Sequence, residues 1–308
     1  MPAILVHNSF ALENAEGIEK KYLDATRLGS QGPDPFFFYG ILRFGKHSHK
    51  SLVRKFGSAL HKRDISEDYF ELIKFAKEEK RDADLLLSYI DGLFMHFCVD
   101  KVFHPYVFYR TGFNPDGTLK GYYSYTHSLF ESILDVEFSK KENTYCRPSK
   151  CLNIDKKQLL IISKLWSKLP YGLKEKDFYY ATKDYKKVER FVNGGTEVRR
   201  FIFLIGGRRG ILRAISYPRH LKNYKVYDVE NTKKITWKHP ATGEPSNYNV
   251  EELFIEASAE FKKIRDIIHS DLDEQNLLLE IRKFVNNTCH DGLKVGDKKQ
   301  YFDNCFKK

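Results

Sequence analysis

The segment from Asp84 to Lys101 is apolar on nearly every side of a helix, and it constrains the fold more than any other stretch. Such a helix has no polar face to turn towards solvent, so other elements must pack around it. Pro105 predicts the end of this helix, because proline cannot continue the helical hydrogen bonding. His104 is therefore expected at or just beyond the helix end, where it could turn back towards Asp100.

Helical periodicity recurs along the chain, without the sustained two-residue alternation that is typical of strands. The other predicted helices cover residues 69–80, 127–141, 156–168, 185–192, 198–205, 250–269 and 274–287. Residues 112–124 hold Asn-Pro and Asp-Gly pairs and are predicted to form a loop, while 142–155 and 217–249 are expected to be irregular. The pattern predicts an all-α fold.

Seven of the eleven histidines fall within the first 127 residues, several of them near carboxylates. Positions i and i+4 share one side of a helix, so His96 with Asp100, and His127 with Glu131, can each present an imidazole and a carboxylate to one point. Imidazole and carboxylate ligands suit zinc and its first-row neighbours. The pattern favours a metal site. The alternative, histidines scattered in a helical core, predicts protein without stoichiometric metal.

Asp34 lies between two prolines and precedes four aromatic residues. A carboxylate at the edge of an apolar block is costly to bury unless it is paired or bound to metal. An alternative interpretation makes Asp34 the N-cap of a helix with Pro35 in its first turn. His7 follows a short apolar run and is a weaker candidate by itself. Cys98 is predicted to be a small buried residue that points away from any metal.

Positive charge is concentrated in the middle of the chain. Residues 139–239 contain 25 Lys and Arg against 9 Asp and Glu, whereas the remainder contains 27 against 32. Such a basic region is expected to attract an anionic membrane surface or nucleic acid, the alternative being a solvated lysine surface. We expect one domain over residues 1–308, with a metal-binding core (1–140) and a basic helical supporting half (141–308).

The rest of the composition bears on location. No apolar run reaches the roughly 18 residues of a membrane span. The start Met-Pro-Ala-Ile-Leu-Val-His lacks the basic residues of a signal sequence. Five cysteines without a Cys-x-x-Cys pair favour reduced thiols. A cytoplasmic location is therefore expected.

Taken in order, these residues resemble the zinc-dependent phospholipase C family, whose fold is shared with the fungal single-strand-specific zinc nucleases. The resemblance covers residues 1–135. It rests on segments 2–7, 28–37 and 57–61, on Tyr69-Phe70, and on His96, Asp100, His104-Pro105, His127 and Glu131. Residues 237–243 also resemble the bacterial intracellular branch of this family.

The resemblance implies an all-helical domain around two to three zinc ions and a phosphodiesterase activity. Asp34, His61, His96 and Asp100 would surround one ion, His104, His127 and Glu131 would hold a second, and His7 would share a third with Asp100. Metal-bound water would attack a phospholipid headgroup ester, and Asp34 would be the catalytic residue that orients or deprotonates it.

Two departures from the family are visible. Secreted members complete the third zinc site with an N-terminal tryptophan that processing exposes, whereas this chain begins Met-Pro. The amine of Met1, or of Pro2 after methionine removal, would substitute, or that site would be weak or empty. The spacing from Asp34 in secreted relatives points to His47 or His49, whereas the local sequence points to His61. We favour His61, and we then expect His47 and His49 in an exposed loop.

The remaining candidates are weaker. His220, His269 and His290 are predicted to be surface residues, and His239 to belong to a structural turn. The stretch Gly206–Gly210 lacks the Lys-Ser/Thr pair of a phosphate loop, although Arg208 and Arg209 could contact anions.

The leading functional hypothesis is a zinc-dependent hydrolase of the phospholipase C type, with aromatic residues in 36–39 and 103–109 lining the substrate mouth. A single-strand nuclease on the same metal site, and a metal-stabilised binding protein without turnover, are the alternatives.

Overall fold

Helices dominate the computed structural model, which describes residues 4–41, 48–193, 214–218 and 220–307. This described part holds eleven α-helices and one pair of two-residue antiparallel strands, β1 (Trp237–Lys238) and β2 (Pro245–Ser246). The helices are α1 (Ile4–Glu13), α2 (Leu23–Gly29), α3 (Ser48–Leu60), α4 (Ser66–Glu78), α5 (Ala83–Thr111), α6 (Tyr122–Lys141), α7 (Pro148–Cys151), α8 (Lys156–Trp166), α9 (Asp177–Asn193), α10 (Val250–Ile268) and α11 (Glu274–Val285). The prediction of an all-α fold is confirmed. The predicted helix 198–205 and the glycine-rich segment 206–210 lie outside the described residues.

Helix α5 is the central element. Most of its side chains are buried, and α1, α2, α4, α6 and α10 all pack against it. The predicted end at Pro105 is wrong, because the helix continues through the proline to Thr111. A proline inside a helix deprives the carbonyl four residues earlier, here that of Lys101, of its usual partner. The chain near Gly292 packs into this point: a Cβ on Gly292 would lie 2.4 Å from the Lys101 carbonyl oxygen.

Two glycines allow α2 and α5 to cross at very short range. A Cβ on Gly29 would lie 2.2 Å from a backbone carbonyl oxygen of α5, and a Cβ on Gly92 would lie 2.3 Å from one of α2. Any larger residue would push the two helices apart. The close crossing brings the chain after α2 onto α5, so that the Ser30 carbonyl oxygen lies 3.1 Å from His96 Nδ1.

Several helices extend beyond the predicted bounds or were not expected. Helix α6 begins at Tyr122, inside the predicted loop 112–124, and α9 begins at Asp177 rather than at 185. The sequence pattern did not predict α1, α2, α3 or the single turn α7 within 142–155. Helix α1 is buried on all sides, so it has no polar face and no helical period.

One apolar core joins the two halves of the chain. The Phe254 ring of α10 lies 5.0 Å from both the Phe10 ring and the Phe138 ring. The indole N–H of Trp166 donates to the Tyr89 hydroxyl at 2.7 Å, deep in the same core. Across the described ranges, none of the helices is both long and apolar enough to cross a membrane.

Candidate metal centre

Eight buried or half-buried side chains form three adjoining groups. Within each group, one candidate ligand atom per residue lies within 4.8 Å of the others. We name them the Asp100 group (His7, His96, Asp100), the Asp34 group (Asp34, His61, His96) and the Glu131 group (His104, His127, Glu131). Such groups of imidazoles and carboxylates can hold a metal ion. The structure thus brings together all eight side chains that the sequence singles out as ligands. Asp100 lies beside His7, as predicted, but it is not part of the Asp34 group.

Helix α5 contributes three of these side chains from one face. His96, Asp100 and His104 follow one another at four-residue spacing, so they lie in a row along the helix. The expectation that His104 lies at or beyond the helix end is wrong, because α5 continues for seven residues after it. His104 Nδ1 lies 3.6 Å from Asp100 Oδ1 and His104 Nε2 lies 3.5 Å from Glu131 Oε1. His104 therefore connects the Asp100 group to the Glu131 group.

Helix α6 fixes the position of His7 as well as supplying His127 and Glu131. One turn beyond Glu131, the buried Asp135 carboxylate accepts the backbone N–H groups of Leu5 at 3.1 Å and Val6 at 2.9 Å. Amides at the start of a helix have no partner within the helix, so this contact anchors α1. Burial raises the pKa of Asp135 to about 8.

Asp34 is the first residue of a short 3₁₀ turn, Asp34–Phe38. The N-cap interpretation is wrong, because Pro33 occupies the cap position and no side chain caps the turn. The Asp34 carboxylate faces the centre instead, with Oδ1 3.0 Å from His61 Nε2. Of His61 and His49, the two described histidines that the spacing left open, His61 lies beside Asp34 and His49 does not.

His49 and His47 were the other two candidates for the partner of Asp34. His49 lies in α3 and pairs with Asp177, with 2.7 Å between His49 Nε2 and Asp177 Oδ2. The expectation of an exposed loop is therefore wrong for His49. His47 lies outside the described residues. So do Met1 and Pro2, one of whose amines would complete the third site unless that site is weak or empty.

Three imidazoles of the centre are oriented by main-chain carbonyl groups. Nδ1 of His61 lies 2.8 Å from the carbonyl oxygen of Gly57, that of His96 lies 3.1 Å from the oxygen of Ser30, and that of His104 lies 2.9 Å from the oxygen of His290. A carbonyl oxygen only accepts, so each Nδ1 carries the proton. In the neutral ring the lone pair is then on Nε2, which faces the carboxylates. This arrangement is typical of histidines that bind a metal through Nε2.

The distances between these nitrogens and the carboxylate oxygens match those between ligands of one ion. From Nε2 they are His61–Asp34 3.0 Å, His96–Asp100 3.1 Å, His7–Asp100 3.2 Å, His127–Glu131 3.2 Å and His104–Glu131 3.5 Å. Neighbouring ligands in a tetrahedral site are about 3.4 Å apart when metal–ligand bonds are about 2.1 Å. His96 Nε2 is buried and makes no hydrogen bond. The residues present therefore fit a bound divalent cation.

The three carboxylates of the centre are held in the ionised form. Burial alone would raise the pKa of each, but the facing imidazoles lower it below its ordinary value. The facing residues are His61 for Asp34, His104 and His96 for Asp100, and His127 and His104 for Glu131. Conversely, burial acts to lower the pKa of His104, while Asp100 and Glu131 raise it to about 9. Three buried negative charges require positive charge beside them, and a divalent cation supplies it as well as protonated imidazoles do.

His290 is a component of the centre that sequence reasoning missed. The prediction of a surface residue is wrong, because the side chain is fully buried. Its ring lies 4.9 Å from the His61 ring and 5.4 Å from the His96 ring, between centroids. Its Nδ1 lies 3.2 Å from the Leu60 carbonyl oxygen, and its Nε2 lies 3.5 Å from the Tyr69 hydroxyl. Burial, together with the charges of His61 and His96, lowers the pKa of His290 well below its usual range. It packs against the rings of His61 and His96 as a neutral residue.

The centre is nearly closed to solvent, and His61 is its most accessible side. The His61 side chain is 19% exposed, that of His104 is 11% exposed, and the other six are 8% exposed or less. The Phe37 ring lies 5.0 Å from the His61 ring. Phe36 and Phe38, also expected to line a substrate mouth, are instead buried in the core. A molecule that reaches the centre from solvent would therefore approach it beside Phe37 and His61.

Phe108 is another aromatic residue at the centre, with its ring 5.1 Å from that of His127. Lys299 Nζ lies 4.1 Å above the Phe108 ring and 3.1 Å from Asp291 Oδ2. Of the other expected mouth residues, Phe103 and Tyr106 are buried in the core.

The remaining predictions for single residues that the structure describes are confirmed. His220 and His269 are exposed, as predicted. His239 stabilises a turn, since its Nδ1 accepts the backbone N–H of Thr242 at 3.2 Å, so the structural interpretation is confirmed. Cys98 is fully buried and belongs to none of the three groups, as predicted.

Part of the basic region forms one face of α9. Lys183, Lys186, Lys187 and Arg190 follow helical spacing, so they lie on the same side. Partial burial, together with the charges of Arg190 and Lys183, lowers the pKa of Lys186. Residues 199–213, which hold five more arginines, lie outside the described residues.

Comparison with protein-family models, with curated proteins and with solved structures found no match to this chain.

Proposed function

We propose that this protein is a zinc-dependent phosphodiesterase of the phospholipase C type, which hydrolyses the headgroup ester of a phospholipid. The observation that carries the proposal is the buried set of three adjoining imidazole–carboxylate groups. Adjacent metal sites suit phosphodiesters, because they can stabilise both the attacking and the leaving oxygen. The order of the ligands along the chain, which resembles that of the zinc-dependent phospholipase C family, adds support.

Each of the three groups would hold one ion, with His96 shared between the Asp34 group and the Asp100 group. Zinc bound there would supply a Lewis acid for the phosphoryl oxygens and would lower the pKa of a neighbouring water. Phe97 packs against His290 and Phe108 against His127, and these apolar contacts help to keep bulk water away from the groups. Charge interactions at the centre are strengthened because solvent is excluded.

Asp34 is the residue that we assign to proton transfer. The hydrogen bond and charge of His61 lower the pKa of Asp34 despite its burial, so the carboxylate is ionised near neutral pH. An ionised carboxylate can orient the attacking water and accept its proton. Its neighbour His61 is the most exposed ligand, so Asp34 lies where substrate would reach the centre.

The test is hydrolysis of a chromogenic phosphocholine ester by protein of measured zinc content. We expect turnover by the zinc-loaded protein, loss of turnover with a chelator, and recovery when zinc is restored. Zinc-loaded protein that turns over neither this ester nor phospholipid vesicles would remove the proposal.

Paired variants connect the activity to the centre. Asp34→Asn is expected to lower kcat by about 100-fold or more, because positioned acid–base groups contribute about 10²–10⁴-fold. His49→Gln is the control, because it removes the histidine of another His–Asp pair, that of His49 with Asp177, which lies outside the three groups. Equal losses in the two variants would show that Asp34 acts only through the fold.

A single-strand nuclease on the same centre is the second candidate, and the basic face of α9 favours it. Single-stranded DNA binds to positive surfaces, and its affinity falls steeply with salt. Degradation of such DNA that weakens at raised salt and in the Lys183→Gln/Lys187→Gln variant, with the phosphocholine ester not cleaved, would support the nuclease. A protein that binds zinc and cleaves neither substrate would be a metal-stabilised binding protein.

A further inference from the structure

Two cysteine thiols lie in contact away from the metal centre. Cys146 Sγ and Cys151 Sγ are 3.5 Å apart, and both cysteines are free thiols. Cys146 is half-buried in the segment after α6, whereas Cys151 is fully buried at the end of α7. Cys146 is therefore the more accessible of the two residues.

The local fold brings these two side chains together. Helix α7 is a single turn that begins at Pro148, and Arg147 at its N-cap is extended, with φ −66° and ψ 126°, as the residue before a proline requires. Cys146 precedes the cap and Cys151 is the fourth residue of the turn. Side chains at these two positions pack against each other in the hydrophobic staple of helix starts. The thiol contact is thus built into the turn rather than made by a mobile side chain.

The two thiols are also electrostatically unequal. The hydrogen bond from the Cys151 thiol, together with the charges of Arg27 and Lys150, lowers the pKa of Cys146 to about 7. Hydrogen bonding to Cys146 and burial raise the pKa of Cys151 well above its usual range. An accessible sulfur that ionises near neutral pH can attack, and a protected neighbouring thiol can complete the reaction.

We propose that Cys146 and Cys151 form a redox-active thiol pair that reacts with a low-molecular-weight disulfide. The Cys146 thiolate attacks one sulfur of the reagent, forms a mixed disulfide and releases one thiolate. Cys151 gives its proton to that released thiolate, attacks the Cys146 sulfur and displaces the second thiolate, which takes a proton from solvent. Two cysteine thiols lose two electrons and two protons in all, and one reagent disulfide is reduced to two thiols.

The pair can be tested independently of the metal chemistry. None of the eight candidate ligands lies in the segment 144–151, which packs on α1 through a 2.5 Å contact between Thr144 Oγ1 and Ser9 Oγ. A result on the thiols therefore stands whether or not the protein hydrolyses phosphodiesters.

The experiment is reaction of the purified full-length protein with oxidised glutathione, followed by tryptic digestion without reductant. Cleavage after Lys150 separates the Cys146 peptide (142–150) from the Cys151 peptide (151–156), so a peptide joined across that cut reports the new bond. We expect this joined peptide, with an intact mass lower by two hydrogens. In Cys151→Ser a single glutathione adduct should accumulate on Cys146. In Cys146→Ser, buried Cys151 should gain none.

Cys305 provides the matched control, because it is also half-buried but has no thiol partner and burial raises its pKa. We expect Cys146 to be modified at least tenfold faster than Cys305, and Cys305→Ser to form the joined peptide unchanged. Circular dichroism would confirm that the variants fold. The joined peptide is measured in the wild-type protein, so this result does not depend on the folding of any variant. Absence of the joined peptide from folded wild-type protein, or equal rates at Cys146 and Cys305, would leave the pair as an ordinary apolar staple and overturn the proposal.

Discussion

Asp100 is the residue on which three imidazoles converge. Its carboxylate oxygens lie 3.2 Å from His7 Nε2, 3.1 Å from His96 Nε2 and 3.6 Å from His104 Nδ1. Asp100→Asn keeps the shape of the side chain but removes its charge, so we expect zinc to be lost and hydrolysis to fall by more than about 100-fold. Loss of even an outer-shell partner of a metal lowers metal affinity or activity by about 10–100-fold. Elemental analysis and the ester assay measure the two effects.

Another ion pair of α5 provides the control for this variant. Asp91 pairs with His269 at 2.9 Å, and the His269 side chain is 40% exposed, outside the three groups. His269→Gln is expected to keep its zinc and its activity. Full zinc content in Asp100→Asn would contradict the assignment of Asp100 as a ligand.

Glu189 gives a pH dependence that is separate from the metal centre. It is buried on α9, its Oε2 accepts from Asn193 Nδ2 at 2.8 Å, and burial raises its pKa from 4.5 to about 7. The folded protein therefore binds more protons than the unfolded chain between about pH 4.5 and 7. This contribution to the free energy of unfolding is fully present below pH 4.5 and is lost as the pH rises through 7.

Glu189→Gln removes the titration but keeps the acceptor for Asn193. We expect the variant to exceed the wild type in stability at pH 8, by on the order of 3 kcal/mol, and to match it near pH 4.5. Urea unfolding at the two pH values measures the difference. The exposed Glu175→Gln on the preceding loop is the control and should change neither value. A constant difference between wild type and Glu189→Gln at both pH values would refute the assignment.

The residue scale also shows what sequence spacing can predict. His96 with Asp100, and His127 with Glu131, follow from helical spacing, and both pairs form as expected. His290 could not be found in this way, because it reaches the centre from a segment without periodicity. The packing of Gly292 against Pro105 of α5 positions it, and neither residue is recognisable in the sequence as part of a site.

At the scale of elements, the crossing of α2 and α5 positions two of the three groups. Gly92→Ala would place a methyl group against a carbonyl oxygen of α2 that cannot rotate away. We expect a loss of stability of about 1–3 kcal/mol, as for other overpacked contacts, and weaker zinc binding because Ser30 moves from His96. Thermal unfolding and a zinc titration measure the two effects.

The control for Gly92→Ala is Ser88→Ala, which removes an atom from the preceding turn of α5 instead of adding one. We expect it to retain zinc affinity and nearly all stability. Unchanged zinc affinity in Gly92→Ala would mean that the helix crossing does not set the geometry of the centre.

Helix α5 also shows where a local rule gave way to tertiary packing. Pro105 predicted a helix end, yet apolar residues on both sides of it are buried. The segment near Gly292 fills the space beside the proline and the Lys101 carbonyl group. The burial of Tyr106, Val107 and Phe108 offsets the cost of one missing hydrogen bond. Sequence pattern therefore predicted the existence of the central helix but not its length.

At the scale of the whole molecule, the candidate ligands come from five separate parts of the chain. These are α1, the turn at Asp34, the residue that follows α3, α5 and α6, with His290 added from the C-terminal segment. Local periodicity predicts only the pairs within one helix. The convergence of the others depends on contacts between distant residues, such as that of Asp135 with Leu5 and Val6, and the sequence suggested it only through a family resemblance.

Because ions at this centre would connect five parts of the fold, their removal should destabilise the entire protein. A site filled at about 1,000 times its Kd contributes about 4 kcal/mol to the free energy of unfolding. For a chain of this size that corresponds to a decrease in Tm on the order of 10 °C for each ion removed. Calorimetry before and after chelation measures the decrease, with zinc content determined on the same samples.

Three comparisons separate a specific metal effect from chelator damage. Added zinc should restore the original Tm, whereas added magnesium should not, because imidazole ligands disfavour magnesium. Asp100→Asn, which lacks the charge at the point of convergence, should show a smaller decrease on chelation than the wild type. His269→Gln should show the full decrease. If removal of measured zinc left the Tm of the wild type unchanged, the three groups would not connect the fold through bound ions, and the buried charges would be balanced by protonated imidazoles alone.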